Sequence, residues 1–439
     1  MPEVTLPADG WTPRWYQLPV WKYLEGGGRR AVLVWPRRHG KDNTAINWCA
    51  TATQMRVGTY WHILPYLNQG RRIVWDGMDR SGRPFLSAFP EGLIAKKSNV
   101  DMSLHLKNGS VYQVMGADKP DKLVGSNPVG VIFSEWALMD PNTWKLIAPI
   151  LAENGGWALW IYTPRGDNHG KSKLEEAKAN PSWYWSKETA KTLKVLSPEE
   201  LRELRDELND EALFQQEMFT SFETPISGAY YGTQMRWLSK NSRITSVPID
   251  PRLPVHTAWD LGYDDATSIW FFQQFRHETR VVDYFEYSGE GLPFYVRKLK
   301  EKSQEDGYVY GRHFFPWDVK VHELSAGKTR KDTLRELGIN AEPAKKLSVA
   351  DGIDAVRARL SMCWFDKDRC ERGINALKSY TKEWNDERQV FKTTPLHNWA
   401  SHGADAFRTL AVSNTPGKVT ESLPEKVVDD YDPLTYQMR

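Results

Sequence analysis

The apolar run Val32-Leu33-Val34-Trp35 gives way to Pro36-Arg37-Arg38-His39-Gly40-Lys41-Asp42-Asn43, and a stretch of helical periodicity begins at once over residues 42–54. A buried strand that turns directly into a basic, glycine-containing loop and then a helix suits anion binding. Free backbone N–H groups and the positive helix end face the ligand, and the lysine reaches the terminal phosphates. Taken alone, Gly40-Lys41 is a weak signal that solvated loops also carry. Trp35 stands where a first glycine is usual, and Asp42 where a serine or threonine is usual.

The neighbouring segments give the loop a context. Residues 31–35, 62–65, 129–133 and 157–162 read as buried strands, with helices over 42–54 and 141–151 between them, which predicts a parallel sheet with crossover helices. Residues 102–106 and 111–115 flank the turn Lys107-Asn108-Gly109-Ser110 and read as a hairpin inserted in that sheet. One strand runs into Phe133-Ser134-Glu135, so that Glu135 falls at the sheet's carboxyl edge, where it could polarise an attacking water. By itself such a glutamate is more often a solvated strand cap; paired with a phosphate loop it becomes a catalytic candidate. Another strand ends in Tyr162-Thr163, which puts Thr163 in reach of a γ-phosphate, and Tyr16-Gln17 lies just upstream of the first strand, where Gln17 could hold an adenine edge.

At 439 residues the chain exceeds one ordinary core and is expected to form two domains. Serine caps and proline opens a helix at Ser197-Pro198-Glu199-Glu200, expected to continue past Phe214. The first domain is therefore assigned to residues 1–224, with a helical lid over about 190–224. Residues 225–254 mix Gly, Pro and Ser without periodicity and read as a linker. Residues 255–415 form a strand-rich α/β domain, with strands over 256–260, 267–275, 280–287 and 312–317, helices over 292–304, 330–336 and 349–359, and a short final helix over 400–411. Residues 416–439 are polar and proline-containing and read as a mobile tail.

The second domain carries three candidate aspartates: Asp260 at a strand end in Ala258-Trp259-Asp260-Leu261-Gly262, Asp318 at a strand end in Phe314-Phe315-Pro316-Trp317-Asp318, and Asp405, expected to project from a helix, in Ser401-His402-Gly403-Ala404-Asp405-Ala406. Carboxylates converging from separate strands and a helix can hold two divalent cations for in-line phosphodiester cleavage. Any one aspartate after a strand is more often a turn residue, so the weight rests on the ordered trio. His402 lies three residues before Asp405, on the same helix face, and with Asp265 is a candidate for the surrounding layer.

Composition narrows the classes. Lys+Arg 58 against Asp+Glu 56 leaves a formal charge of +2, so a polyanion-binding surface must be a local patch. Three widely spaced cysteines, Cys49, Cys363 and Cys370, fit reduced thiols and a cytoplasmic setting. No apolar run approaches a membrane span. The 20 tryptophans read as core aromatics before base-stacking platforms.

At this point the chain resembles the large terminase subunits of tailed bacteriophages over roughly residues 10–415. Arg37-Arg38-His39-Gly40-Lys41 matches an Arg-rich Walker A of the form R-R-x-G-K, Glu135 the Walker B glutamate, Thr163 the coupling motif and Gln17 the adenine glutamine. Asp260, Asp318 and Asp405, the last in Ala404-Asp405-Ala406-Phe407-Arg408, match the metal-binding acidic trio of that family's nuclease. The resemblance implies a P-loop (ASCE/RecA-like) ATPase domain followed by a ribonuclease-H-like nuclease. It also implies ATP with Mg²⁺ as cofactors, Mn²⁺ being an alternative at the nuclease. The implied partners are double-stranded DNA, a capsid portal and a small terminase subunit. The implied assembly is a homo-oligomeric ring of about five subunits, from a chain that could be monomeric alone, acting in the host cytoplasm. Two departures stand out: Ser134 precedes Glu135 where that family places Asp, and Asp42 follows Lys41 where it places a hydroxyl residue. The Asp42 carboxylate, the Ser134 hydroxyl and Thr44 are each able to ligate Mg²⁺. The arginine acting in trans is not evident; Arg80, Arg83, Lys122 and Arg165 are candidates. Two other readings fit parts of the pattern: an ATP-dependent helicase-nuclease of repair or recombination, and a DNA-end-binding subunit with both sites decayed.

Overall fold

Short runs of β-branched and aromatic residues bury both faces of the first sheet, as a parallel sheet covered by helices requires. In the computed structural model, which describes residues 5–118, 123, 125–223, 228–262, 266–320, 329–385 and 390–413, the chain divides into the units Met1–Ile226 and Ser227–Arg439.

The first unit's strands are β1 (Arg30–Val34), β2 (Thr59–Leu64), β3 (Ile94–Ser98), β4 (Ser103–Leu106), β5 (Val111–Gly116), β6 (Pro128–Ser134), β7 (Trp157–Tyr162) and β8 (Tyr184–Lys187). They form one sheet in the order β3-β4-β5-β2-β6-β7-β1-β8. All neighbours are parallel except β3/β4 and β4/β5. The strand carrying the loop, β1, is separated from β6 by β7, the order of an ASCE-type P-loop sheet. Val34 pairs with Tyr162 and Ser134 with Ile161, so the residues that follow β1, β6 and β7 emerge at one edge. Every residue of β6 is buried. Gly130 is required there, because a Cβ would stand 2.5 Å from the Trp157 ring.

The tryptophans are mostly core: Trp35, Trp61, Trp136 and Trp160 are fully buried in this unit. Four of the unit's tryptophans enclose a lysine. Lys173, only 7% exposed, holds its ammonium 4.9–5.9 Å from the ring centroids of Trp136, Trp144, Trp160 and Trp183 and 2.5 Å from Glu176. The helix that opens at Ser197 does so with the expected capping box and proline, but ends at Leu208, where Asn209 adopts a left-handed conformation. Asp210 then caps a second helix, Glu211–Phe219. Two short polar residues that favour turns and caps break what sequence periodicity reads as one helix.

In the second unit, β9 (Ile244–Thr245), β10 (Val255–Asp260), β11 (Ala266–Phe275), β12 (Glu278–Ser288), β13 (Tyr310–Phe315), β14 (Ala341–Pro343) and β15 (Cys363–Asp366) form a sheet in the order β14-β13-β10-β11-β12-β15-β9. The antiparallel meander β10-β11-β12 is extended by β13 and β14, parallel to β10. That is the ribonuclease-H-like arrangement. A hairpin of β16 (Lys382–Asn385) and β17 (Val390–Pro395) precedes the last helix.

Three boundaries depart from the sequence reading. Residues 225–254 are not simply a linker: they contain the helix Gly232–Lys240, whose Met235 and Leu238 enter the second unit's core, and β9 of its sheet. One apolar residue per turn on a nine-residue helix is too little for periodicity to detect. The final helix is longer than the short one expected, running Trp399–Ser413. The strand ending near Phe315 does not reach Trp317, which starts a 3₁₀ turn after Pro316. The tail assigned to 416–439, Lys122 and Asp265 lie outside the described residues. Among the described residues no helix is long and apolar enough to cross a membrane. Cys49, Cys363 and Cys370 are buried and free.

Candidate nucleotide and carboxylate sites

The loop after β1 turns through two left-handed residues, Arg38 (φ 64°) and Gly40 (φ 79°), the latter capping the helix Lys41–Met55. Glycine at that cap removes the steric cost of the turn and opens the helix end to a ligand. The upstream segment braces the loop: the Tyr16 hydroxyl donates to the His39 carbonyl at 3.0 Å and the Gln17 amide to the Gly40 carbonyl at 3.3 Å. The Gln17 carbonyl accepts from the Arg14 N–H at 2.8 Å, so this side chain is turned onto the loop. The imidazole of His39 is buried with Nδ1 on the Arg37 carbonyl at 2.8 Å, and burial lowers its basicity. Arg37 and Arg38 are exposed. Asn43 accepts from Asn47 on the next turn of the helix. Trp35 is buried, with its indole N–H on the Ser186 hydroxyl at 2.9 Å, so the residue in the usual glycine's place plugs the core beneath the loop.

Lys41 is 5% exposed, and its ammonium donates to the carbonyls of Trp35 and Pro36 and to the Thr163 hydroxyl, each at 3.0 Å. Burial pushes its pKa down, while the charges of Glu135 and Asp42 oppose that shift. Lys41, Glu135 and Thr163 therefore meet at the edge that β1, β6 and β7 share. Glu135 itself sits in a left-handed conformation, φ 56°, and its Oε2 is buried without a hydrogen-bond partner among the described residues. Strain and an unpaired buried carboxylate oxygen on one residue are features that functional sites retain at a cost in stability.

Two groups close to Lys41 escape the sequence reading. Glu217, from the helix Glu211–Phe219, is buried, adds negative charge near Lys41, and pairs with Arg165. Arg165 is thus engaged within its own unit, and Arg83 pairs with Asp79. No motif surrounds Glu217 in the sequence. His62, in the interior of β2, is fully buried; its Nε2 lies 3.7 Å from Asp42 Oδ1 and its Nδ1 3.0 Å from the Tyr112 hydroxyl. A histidine inside the apolar run Trp61-His62-Ile63-Leu64 was the available signal. Asp42 accepts from the Ser134 hydroxyl at 2.6 Å. Burial would raise its carboxyl, but the neighbouring His62, Ser134 and Lys41 outweigh that and hold it below the usual range. Thr44 turns away, donating to the Gly40 carbonyl at 2.9 Å.

In the second unit Asp260 ends β10 and Asp405 projects from the helix Trp399–Ser413 that packs against that strand. Desolvation, reinforced by the Asp260 charge, pushes Asp405 up to about 6 against the pull of Arg408. Arg408 Nη1 is 2.9 Å from Asp405 Oδ1, and the Tyr380 hydroxyl donates to the same oxygen at 3.2 Å. His402 Nδ1 lies 3.9 Å from Asp260 Oδ2. Asp318 does not join this pair: it sits exposed in the 3₁₀ turn Trp317–Lys320 beyond β13. Among the described residues no three His, Cys, Asp or Glu side chains stand together closely enough to hold one metal ion. The structure thus brings two of the three expected aspartates together. The third falls in the 3₁₀ turn that follows Pro316, past the end of β13.

No protein-family model matches the sequence. The chain is 25% identical over 348 residues to the terminase large subunit of Escherichia phage T5, covering 74% of this chain and 75% of that protein. Among solved structures, the large terminase of a thermophilic bacteriophage in complex with ADP aligns over 91% of this chain and 98% of its own, at 16% identity and a TM-score of 0.42. The Thermus phage P74-26 large terminase ATPase domain aligns over 50% of this chain and 99% of its own, at 21% identity and a TM-score of 0.42. In sequence, then, this chain is similar to a bacteriophage large terminase subunit over about three quarters of both lengths.

Proposed function

We propose that this chain is the motor and nuclease subunit of a viral DNA-packaging machine, hydrolysing ATP to move double-stranded DNA into a capsid and cutting that DNA with divalent metal. The observation that carries the reading is the meeting of Lys41, Glu135 and Thr163 at one sheet edge beside a left-handed Gly40 turn. ATP binds with its phosphates on the N–H groups that open the helix Lys41–Met55. Lys41 exchanges its carbonyl partners for phosphate oxygens, and the exposed Arg37 and Arg38 add positive charge. Glu135, with a free carboxylate oxygen, orients the attacking water and accepts its proton. Thr163 shares a hydrogen bond with Lys41, so loss of the γ-phosphate changes its partner and is passed along β7.

In the second unit Asp260 and Asp405 hold the metal side of the nuclease. A carboxyl raised by burial and by its neighbour's negative charge fits a site where a cation relieves that repulsion, and an all-oxygen donor set suits Mg²⁺ or Mn²⁺. When bound, such cations neutralise phosphate charge at both sites and stabilise the oxygens of in-line displacement. His402 orients Asp260, and Tyr380 and Arg408 orient Asp405.

The working assembly is a ring of about five subunits on a capsid portal, supplied with DNA by a small terminase subunit in the host cytoplasm, though the chain alone could be monomeric. The test is ATP hydrolysis by the purified chain and its Lys41→Ala and Glu135→Ala variants. Both variants are expected to be inactive; a Glu135→Ala protein that hydrolyses ATP at the wild-type rate overturns the motor assignment.

A further inference from the structure

Nucleotide-binding P-loop motors hold Mg²⁺ with a hydroxyl supplied just after the loop lysine and an aspartate supplied by the end of a second strand of the same sheet. This chain has an aspartate at the first position and a serine at the second, and the two side chains touch: Ser134 Oγ donates to Asp42 Oδ1 at 2.6 Å. Two apparent defects are therefore one reciprocal exchange. The hydroxyl and the carboxylate are both present and in contact, each supplied by the other's usual element. Thr44, the remaining candidate in the loop, gives its hydroxyl proton to the Gly40 carbonyl of its own helix.

We propose that Asp42 and Ser134 are the Mg²⁺-holding pair of the nucleotide site with their roles exchanged, and that His62 fixes the Asp42 carboxylate from behind. The inference rests on the nucleotide-site reading above and specifies its metal chemistry. A carboxylate and a hydroxyl are the hard oxygen donors Mg²⁺ takes. Asp42 is partly exposed while Ser134 is buried, so the carboxylate leads and the hydroxyl supports it. Behind them, His62 lies between Asp42 and the buried Tyr112 hydroxyl. With the Tyr112 O–H on Nδ1, the ring proton sits on Nε2, which faces the Asp42 carboxylate at 3.7 Å, a distance of charge contact and not of a hydrogen bond.

The exchange has a consequence the usual arrangement lacks. It places a carboxylate in the first turn of the helix whose N–H groups receive the phosphates. Without a cation between them, carboxylate and triphosphate repel. Nucleotide affinity should depend on Mg²⁺ more steeply than lysine and backbone donors alone would make it.

The experiment is equilibrium binding of a fluorescent ATP analogue to the full chain, in Mg²⁺ and in EDTA, for wild type, Asp42→Ser, Ser134→Asp and the double variant. Wild type should bind at least about tenfold more tightly in Mg²⁺. Asp42→Ser should lose that gain while binding at least as well as wild type in EDTA, since the repulsion is gone; a merely misfolded loop would bind worse in both. Ser134→Asp sets two carboxylates against each other and should weaken binding in EDTA further. The double variant, which restores the usual arrangement, should recover most of the Mg²⁺ gain. An Asp42→Ser protein with the wild-type Mg²⁺ response, or a double variant no better than the worse single one, overturns the exchange alone. A wild-type chain that binds no nucleotide with Mg²⁺ overturns both the exchange and the motor reading beneath it.

Discussion

The two candidate sites are stabilised in opposite ways. At the phosphate loop, Lys41 is held by two backbone carbonyls and a threonine hydroxyl, and the loop itself by Tyr16, Gln17 and the buried Trp35. Its geometry is fixed by neutral dipoles and packing. The carboxylate site is held by polar and charged partners, Arg408 and Tyr380 on Asp405 and His402 beside Asp260, against the mutual repulsion of the two aspartates. A site fixed by packing keeps its shape when one charge is removed, whereas a site fixed by ion pairs does not. The first should therefore respond to mutation in rate and the second in rate, ligand affinity and local structure together.

The largest expected effect is on the first site. Glu135→Gln should lower ATP hydrolysis by about 100-fold or more, the scale of a lost general base, and leave binding of the fluorescent analogue within a few-fold of wild type. Equal losses in binding and hydrolysis would mean that the loop is less preorganised than its hydrogen bonds indicate. Next, Asp260→Asn should reduce metal-dependent DNA cutting by roughly 100-fold with ATP hydrolysis intact, and should bring the Asp405 carboxyl down from about 6 as measured by NMR titration. An unmoved Asp405 would show that desolvation alone sets it.

Acid should separate the two units. His256 and His313 are buried in the second sheet and each is lowered to about 4, chiefly by desolvation. His256 Nδ1 accepts the Arg312 N–H at 2.9 Å, and the Thr257 hydroxyl, itself taken by Trp259, faces His313 Nδ1 at 2.7 Å; both rings are built to be neutral. A folded-state value below the unfolded value of about 6.5 means that the unfolded chain binds more protons between these limits. Stability is then complete above about pH 6.5 and falls as pH drops toward 4, by about 3 kcal/mol for one such group acting alone. Thermal unfolding followed at about pH 7 and about pH 5, either side of the unfolded-state value, should show a transition that moves down with acid and is assigned to the second unit by limited proteolysis. A pH-independent transition there would remove the distinction. The smallest effect is structural: Glu217→Ala leaves the partly buried Arg165 without its carboxylate and should destabilise the first unit by about 2 kcal/mol, read by urea unfolding, while Glu217→Gln should cost less.

What could be read from the sequence follows the physics of each element. The strand endings before Trp35, Glu135 and Thr163 are legible because parallel strands buried on both faces are apolar runs that give way within a residue or two to proline or polar residues. Asp260 and Asp405 are legible for a related reason, as each sits at or near an element flanked by strongly patterned residues. Asp318 is not, since a strand end fixes where the chain leaves the sheet and not the direction of the turn after Pro316. Glu217 and His62 act through tertiary placement: one arrives from a helix more than 170 positions later in the chain than the loop, the other from the centre of a neighbouring strand. The contact between Asp42 and Ser134 was visible only as two separate departures, because nothing in a one-dimensional pattern states that positions 42 and 134 touch.

The lysine enclosed by four tryptophans in the first unit offers a practical handle. Its amine is shielded by indole rings and a glutamate, so amine-acylating reagents that label surface lysines within minutes should spare Lys173 for as long as that unit stays shut. The rate at which mass spectrometry finds it acylated then times the opening of the first unit itself, and doing so with and without ATP would show whether nucleotide slows that opening.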